Sequence, residues 1–255
     1  MENPVKTDPG CRAKEAIANA LQQLDAAEPS VFLAGVRHVQ LEPVYGGRQD
    51  TAAGLRGAAA RGLVRMNHPD AMALLAELLA DPEPSARTAA ARAIGYHGGD
   101  QGLPLLRLKV LSGDTETDVL GDCLLAMLQI APDSSIEFVE RFLDAAQPAM
   151  AEAAALALGE SRAEAALPVL RRWWERTVDP KLAPTALLAI AILRTQEAVD
   201  FLLELIREAP AAKARHAIAA CEIYRGSEAT VERVREAVRA RDDVDLTRTV
   251  EEVLG

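Results

Sequence analysis

The chain has 255 residues, with 28 Lys and Arg against 38 Asp and Glu for a formal net charge of −10, and aromatics make up only 4%. An acid excess of this size repels polyanions on average, which disfavours generic binding to nucleic acid or to an anionic membrane. There is no uninterrupted apolar run of about 18 residues, and Met1–Gly10 lacks the apolar core of a secretion signal, so neither a membrane span nor export is expected.

In chain order, residues 1–10 are expected to be disordered. Arg12–Ala26 reads as a helix with Ala16, Ile17, Ala20, Leu21 and Leu24 on one side. Pro29-Ser30 opens a second apolar stretch, Val31–Leu41, read as a short helix weakened by Gly35, Val36 and Val39. Together, residues 11–43 form an amino-terminal cap. Pro43–Asp50 is an irregular connection with a Gly46-Gly47 turn, after which Asp50 or Thr51 caps a helix over Ala52–Met66.

From there the sequence repeats. Leu55–Leu79 reads again as Ala86–Val110 after a shift of 31 positions, placing Arg56, Ala59, Arg61, Leu63, Leu74, Leu75 and Leu79 on Arg87, Ala90, Arg92, Ile94, Leu105, Leu106 and Val110. A period in the low thirties with helical spacing inside each copy is the mark of a helical solenoid. Further pairs follow at Val119–Ala131 with Ile136–Leu143, Met150–Gly159 with Leu167–Trp174, Thr185–Leu193 with Val199–Ile206, and Ala214–Tyr224 with Val231–Val238. Residues 44–241 are thus repeats, about six helical hairpins, and 242–255, with the Val244–Leu254 helix, is a carboxy-terminal cap. The expected fold is all-α, a right-handed α-α superhelix.

Within each unit the first helix carries small contact residues, Ala59, Ala90, Cys123, Ala153 and Ala189, and the second carries Leu, Ile and Phe. Small side chains permit close helix approach, so the first helices are expected on the shorter, concave side. An Asp followed six positions later by Arg recurs as Asp50/Arg56, Asp81/Arg87 and Asp242/Arg248, which predicts a ladder from the Asp of one unit to the Arg of the next. Other units keep only half of it, as at Asp114, Asp179 and Arg215.

The run Asp81-Pro-Glu-Pro-Ser-Ala-Arg-Thr-Ala-Ala-Ala-Arg-Ala-Ile-Gly95 resembles the bacterial, PBS-lyase-type form of the HEAT-like repeat family, and the resemblance extends from Asp50 to Gly255. It implies an armadillo-type α-solenoid. Members of that broad family are mostly protein-binding scaffolds. Others are bilin lyases or isomerases, or alkylpurine DNA glycosylases, and the resemblance does not choose among them.

The primary expectation is a non-catalytic scaffold, binding a protein or acidic peptide in the groove of the first helices. Arg61 and Arg92 occupy equivalent positions, while Arg65, Tyr96, Gln129 and Arg194 align near successive helix ends, with Glu160 among them. Facing one groove, they would make the amino-terminal half a basic patch suited to acidic or phosphorylated segments. A secondary anion site is read at Tyr45, Gly46, Gly47 and Arg48, taken to precede a helix amino terminus. A glycosylase-like reading needs aromatic residues on the first helices, where Tyr96 and Tyr224 are the candidates. Trp173 aligns with Leu78, Lys109, Phe142 and Leu205 and Trp174 with Leu79, Val110, Leu143 and Ile206, mostly core positions, so both are expected in the core, flanked by solvated arginines. His38, His68, His97 and His216 are dispersed, and no Cys-x-x-Cys, His-Glu-x-x-His, nucleophile-elbow or phosphate-loop motif appears, so no metal, cofactor or catalytic group is expected. Cys11, Cys123 and Cys221 read as small buried thiols of a cytoplasmic protein. Oligomeric state is not legible.

Overall fold

A run of paired helices fills most of the chain in the computed structural model, which describes residues 4–26, 28–97, 99–177 and 179–255. An amino-terminal segment comes first: α1 (Pro4–Thr7), α2 (Arg12–Gln23), α3 (Pro29–Val36) and a hairpin of β1 (Leu41–Val44) and β2 (Gly47–Asp50). The pairs are α4 (Ala53–Arg65) with α5 (Ala71–Leu78), α6 (Pro84–His97) with α7 (Leu103–Ser112), and α8 (Thr117–Ile130), followed by α9 (Pro132–Glu140). Then come α10 (Pro148–Glu160) with α11 (Ala166–Arg176), α12 (Leu182–Leu193) with α13 (Gln196–Glu208), α14 (Ala211–Ala220) with α15 (Glu228–Arg239), and finally α16 (Val244–Leu254). The all-α repeat fold read from the periodicity is the one observed. The chain divides into two compact units, one ending at Ile130 and one beginning at Ala131.

In the first unit α2 and α3 pack on α4, α4 on α6, and α6 on α8. The contacts are made by small residues: Ala59, Ala90 and Cys123 have no exposed surface. Approach is closest at glycines, since a Cβ on Gly57 would lie 2.6 Å from that of Ala89 and one on Gly95 would lie 2.9 Å from that of Ala126. The second unit repeats the device along α10, α12 and α14, where a Cβ on Gly159 would lie 2.4 Å from the carbonyl oxygen of Ala189. The expected contact residue Ala153 is half-buried, and its neighbour Ala154 takes the buried position, a one-residue slip hidden by the Ala-rich run.

A ladder forms within the first unit, but in the opposite sense to the one expected, from the Arg of one unit to the Asp of the next. Arg56 bridges Asp50 (Nη1 to Oδ2, 2.6 Å) and Asp81 (Nη2 to Oδ1, 2.8 Å). Arg87 holds Asp114 at 2.6 and 2.7 Å and donates to the Asp81 carbonyl at 2.9 Å, and Lys109 reaches Asp114 at 2.7 Å. Burial works against the Asp114 carboxylate, but Arg87 and Lys109 outweigh it and hold its pKa far below the usual range. The third pair does not form. Asp242 takes a left-handed φ of 53°, Asp243 caps α16 instead, and Arg248 pairs with Asp245 on the surface.

The amino-terminal segment departs most from expectation. Residues 1–3 lie outside the described residues, but Pro4–Thr7 is a helical turn and Asp8 is buried rather than disordered. Asp8 accepts from the Ala13 N–H (2.7 Å) and the Lys14 Nζ (3.0 Å), closing the start of α2. The apolar side assigned to α2 is not its packed side: Ala16, Ile17, Ala20 and Leu24 are exposed. Ala18 is buried, Gln22 donates to the Ala58 carbonyl (2.9 Å), and the Glu15 carboxylate sits where a Gly54 side chain would be. Helix α3 ends at Val36, earlier than expected, and Pro43–Asp50 is ordered as the hairpin. Its two-residue loop is Tyr45-Gly46, with Gly46 at φ 89°, a conformation that favours glycine. Glu42 ties the hairpin down, accepting from the Gly10 N–H (2.6 Å), Gln40 (2.7 Å) and Thr51 (3.0 Å).

Candidate functional site

Helices α4, α6 and α8 lie side by side, so residues one repeat apart on their exposed faces become neighbours. Arg61 on α4 and Thr88, Ala89 and Arg92 on α6 line a cleft of about 450 Å³, closed on its far side by Glu116 and Asp118. Here the structure brings two predicted residues together. Arg61 donates to the neutral side chain of Asn19 on α2 (3.1 Å) and has no ion pair within 4 Å among the described residues. Arg92 pairs with Asp122 of α8 (2.8 Å) while most of its side chain stays in solvent.

The expected basic patch is therefore corrected to a mixed-charge cleft. Asp118 lies in the first turn of α8 and Glu116 just before it, where the helix dipole favours acids, and stacking delivers them beside the arginines. Sequence spacing aligned the cations but not Asp118, which stands where the preceding unit has Ser85, whereas Glu116 repeats Glu83.

The helix-end residues are divided between the two units. Arg65 closes α4 and pairs with Asp25 (2.6 Å). Tyr96, near the end of α6, is 72% exposed. Gln129, near the end of α8, is exposed and lays its Oε1 over Gly95. These three belong to the first unit. Arg194 ends α12 in the second unit, exposed, with φ 56°, and Glu160 ends α10 there.

Tyr45, Gly46, Gly47 and Arg48 make no cradle at a helix amino terminus. They are the tip and outgoing strand of the hairpin, and α4 begins only at Ala53, so the helix-dipole argument for an anion there is withdrawn. Tyr224 is not available for stacking either. It is buried and donates to the Ala191 carbonyl (2.5 Å), and burial pushes its phenol up to about 12.

Trp173 is 2% exposed, in the core as expected, and Trp174 packs edge-on against Phe201 at 5.7 Å. The flanking arginines are engaged rather than merely solvated. Arg171 stacks on Phe201 (4.3 Å), Arg172 pairs with Glu140 (3.0 Å) and Arg176 with Asp144 (2.7 Å). The three cysteines are buried, and desolvation pushes the Cys123 and Cys221 thiols up to about 12. Among the described residues no three His, Cys, Asp or Glu side chains gather as metal ligands, and no helix is long and apolar enough to cross a membrane.

Sequence reasoning missed a second cleft in the first unit. The Leu41, Arg48 and Asp50 side of the hairpin overhangs Leu74, Glu77 and Leu78 of α5, enclosing about 470 Å³ above the Arg56 ion pairs. The signal was partial: Gly46 supplies the loop conformation that favours glycine, but β2, Gly47-Arg-Gln-Asp50, has no apolar alternation to mark it as a strand.

No curated protein matches the chain in sequence. Among solved structures it is similar to the complex of CpcE and CpcF of phycocyanin lyase from Nostoc sp. PCC7120, at 18% identity over 93% of this chain and 91% of that one, TM-score 0.47. It is similar to YibA of Escherichia coli, at 16% identity over 94% and 96%, TM-score 0.49. It is also similar to human deoxyhypusine hydroxylase in complex with glycerol, at 18% identity over 99% and 98%, TM-score 0.36. The family profile described as HEAT repeats matches residues 47–109 and 137–222, more than half of the chain. The chain belongs to the HEAT repeats family.

Proposed function

We propose that the protein is a non-catalytic binding module that engages another polypeptide through the exposed face of α4, α6 and α8, with residues 11–43 and 242–255 as its end caps. The observation that carries this reading is the cleft between Arg61 and Arg92, an open surface presenting cations beside Glu116 and Asp118. Charges of both signs held on rigid helices suit a protein surface carrying the complementary pattern. The acidic-peptide preference narrows accordingly: an acidic residue of the partner meets Arg61, which donates to the neutral side chain of Asn19. Three buried unpaired cysteines support assignment to a reducing compartment, the cytoplasm.

The test is affinity capture from the native host with wild type beside the Arg61→Glu/Arg92→Glu variant. A polypeptide retained by wild type and lost by the variant is the expected result. Equal retention by both proteins overturns the reading, and nuclease-sensitive material in place of a polypeptide overturns it in favour of nucleic-acid binding.

A further inference from the structure

We propose that the hairpin is a second, independent docking site, where an extended segment of a partner polypeptide adds to β2 as a third strand and places side chains in the cleft toward α5. The register decides which edge is open. Val44 pairs with Gly47 across the two-residue loop, Pro43 with Arg48, Glu42 with Gln49 and Leu41 with Asp50. The residues flanking a two-residue loop exchange hydrogen bonds, and pairs then alternate along an antiparallel ladder. The Thr51 N–H donating to the Gln40 carbonyl (3.0 Å) continues the same alternation.

It follows that Pro43 and Leu41 turn their backbone groups outward on β1, and Arg48 and Asp50 do so on β2. At Pro43 the outward donor is missing, and proline is the residue that blocks an edge against strand addition. The β2 edge has no such block: the N–H and C=O groups of Arg48 and Asp50 face away from β1 with no backbone partner among the described residues. One edge is closed and the other open.

Side chains supply the rest. Val39 and Leu41 are 58% and 49% exposed and line the cleft with Leu74 and Leu78. Side chains alternate along a strand, so a segment on the β2 edge directs every second residue into that apolar cleft. Arg37 and Arg48 stand at its margin with no acidic partner among the described residues, while Asp50 and Asp81 are already neutralised by Arg56. Glu77 lies on the α5 side. The complementary occupant is an extended segment with apolar residues at alternate positions and an acidic residue meeting Arg48. This is the strand-addition mode of peptide recognition, in which edge hydrogen bonds bind and pockets for alternate side chains select.

The experiment pans a displayed random dodecapeptide library against the full-length protein, with counter-selection on Arg48→Pro. That substitution removes an outward N–H and leaves the bonds between β1 and β2 in place; circular dichroism and melting verify its fold. Arg48→Glu, which keeps the N–H, serves as the second variant. The expected result is enrichment of peptides with alternating apolar residues and an acid. Their affinity falls at least tenfold in Arg48→Pro and in Arg48→Glu and is unchanged in Arg61→Glu/Arg92→Glu. Bound peptide slows hydrogen exchange at the amides of Arg48 and Asp50.

No enrichment over Arg48→Pro, or binding without that protection, overturns the proposal. A concentration-dependent dimer in sedimentation that Arg48→Pro abolishes overturns it in favour of a second copy as occupant. Because the probes are peptides and Arg61 and Arg92 are intact, failure here is distinct from failure of the capture experiment.

Discussion

Replacing Arg56 by Met tests whether the Asp–Arg ladder holds the first unit together. Arg56 is 3% exposed and bridges Asp50 and Asp81, and its Nη1 also donates to the His38 carbonyl (2.9 Å). Methionine keeps much of the packing volume but leaves two enclosed carboxylates without a cation. Removing one partner of a buried pair costs about 3–5 kcal/mol. Part is offset, because Asp50 keeps bonds from the Gln40 and Ala52 N–H groups and Asp81 keeps one from Glu83. The expected loss is therefore about 3 kcal/mol at neutral pH, at the lower end for a broken buried pair. The effect carries a pH signature. Burial pushes the Asp50 pKa up, but bonds from Ala52 and Gln40 and the charge of Arg56 outweigh it, so it is lowered on folding. A lowered carboxylate contributes stability above its unfolded pKa of about 3.9 and loses it as pH falls through the folded value. The gap between Arg56→Met and wild type should thus hold from pH 7 to about pH 4 and narrow as pH falls further, through the lowered folded value. Urea unfolding followed by far-ultraviolet circular dichroism measures the gap, and hydrogen exchange of peptides spanning 41–83 localises it. Adding Asp50→Asn and Asp81→Asn should recover part of the loss. A deficit under about 1 kcal/mol at pH 7, the scale of an exposed pair, or one that does not change with pH, would refute the argument.

Gly159→Ala should destabilise the second unit by about 1–3 kcal/mol, because the new methyl meets backbone at Ala189 and no side chain can swing aside. Gly226→Ala, whose added methyl meets nothing within 4 Å, should be neutral or mildly stabilising in the same thermal melts, and equal effects would discredit the close-packing account. Tyr224→Phe removes one of two donors to the Ala191 carbonyl, which keeps the Arg194 N–H (3.1 Å), and should cost about 0.5–1.5 kcal/mol in urea unfolding; no change would mean the hydrogen bond is not formed. The thiols of Cys123 and Cys221, pushed up to about 12 by burial, should resist Ellman's reagent at pH 8 in the native protein and react on unfolding in urea, whereas prompt native labelling contradicts their burial.

The sequence alone determined the repeat architecture, because every unit must bury the same stripe on its neighbours and so keeps the same spacing of Ala, Leu and Arg. It also marked the rungs of the ladder, since Asp and Arg recur at a fixed offset, but not their direction: stacking joins one unit's Arg to the next unit's Asp, the reverse of what the spacing suggested. Trp173 was legible as core for the same reason: it stands where other units have leucine. Tertiary structure alone decided whatever does not repeat. The packed side of α2 is set by the α4 surface it meets, where Gln22 and Glu15 find an Ala58 carbonyl and the space over Gly54, so its apolar stripe is left outside. The sign of the cleft at Arg61 and Arg92 depends on Glu116, Asp118 and Asp122, of which the last two stand where the preceding unit has Ser85 and Ala89. The open edge of β2 is likewise a property of pairing: Pro43 and Arg48 are unremarkable in the sequence until the register turns one toward a missing donor and the other toward a free one.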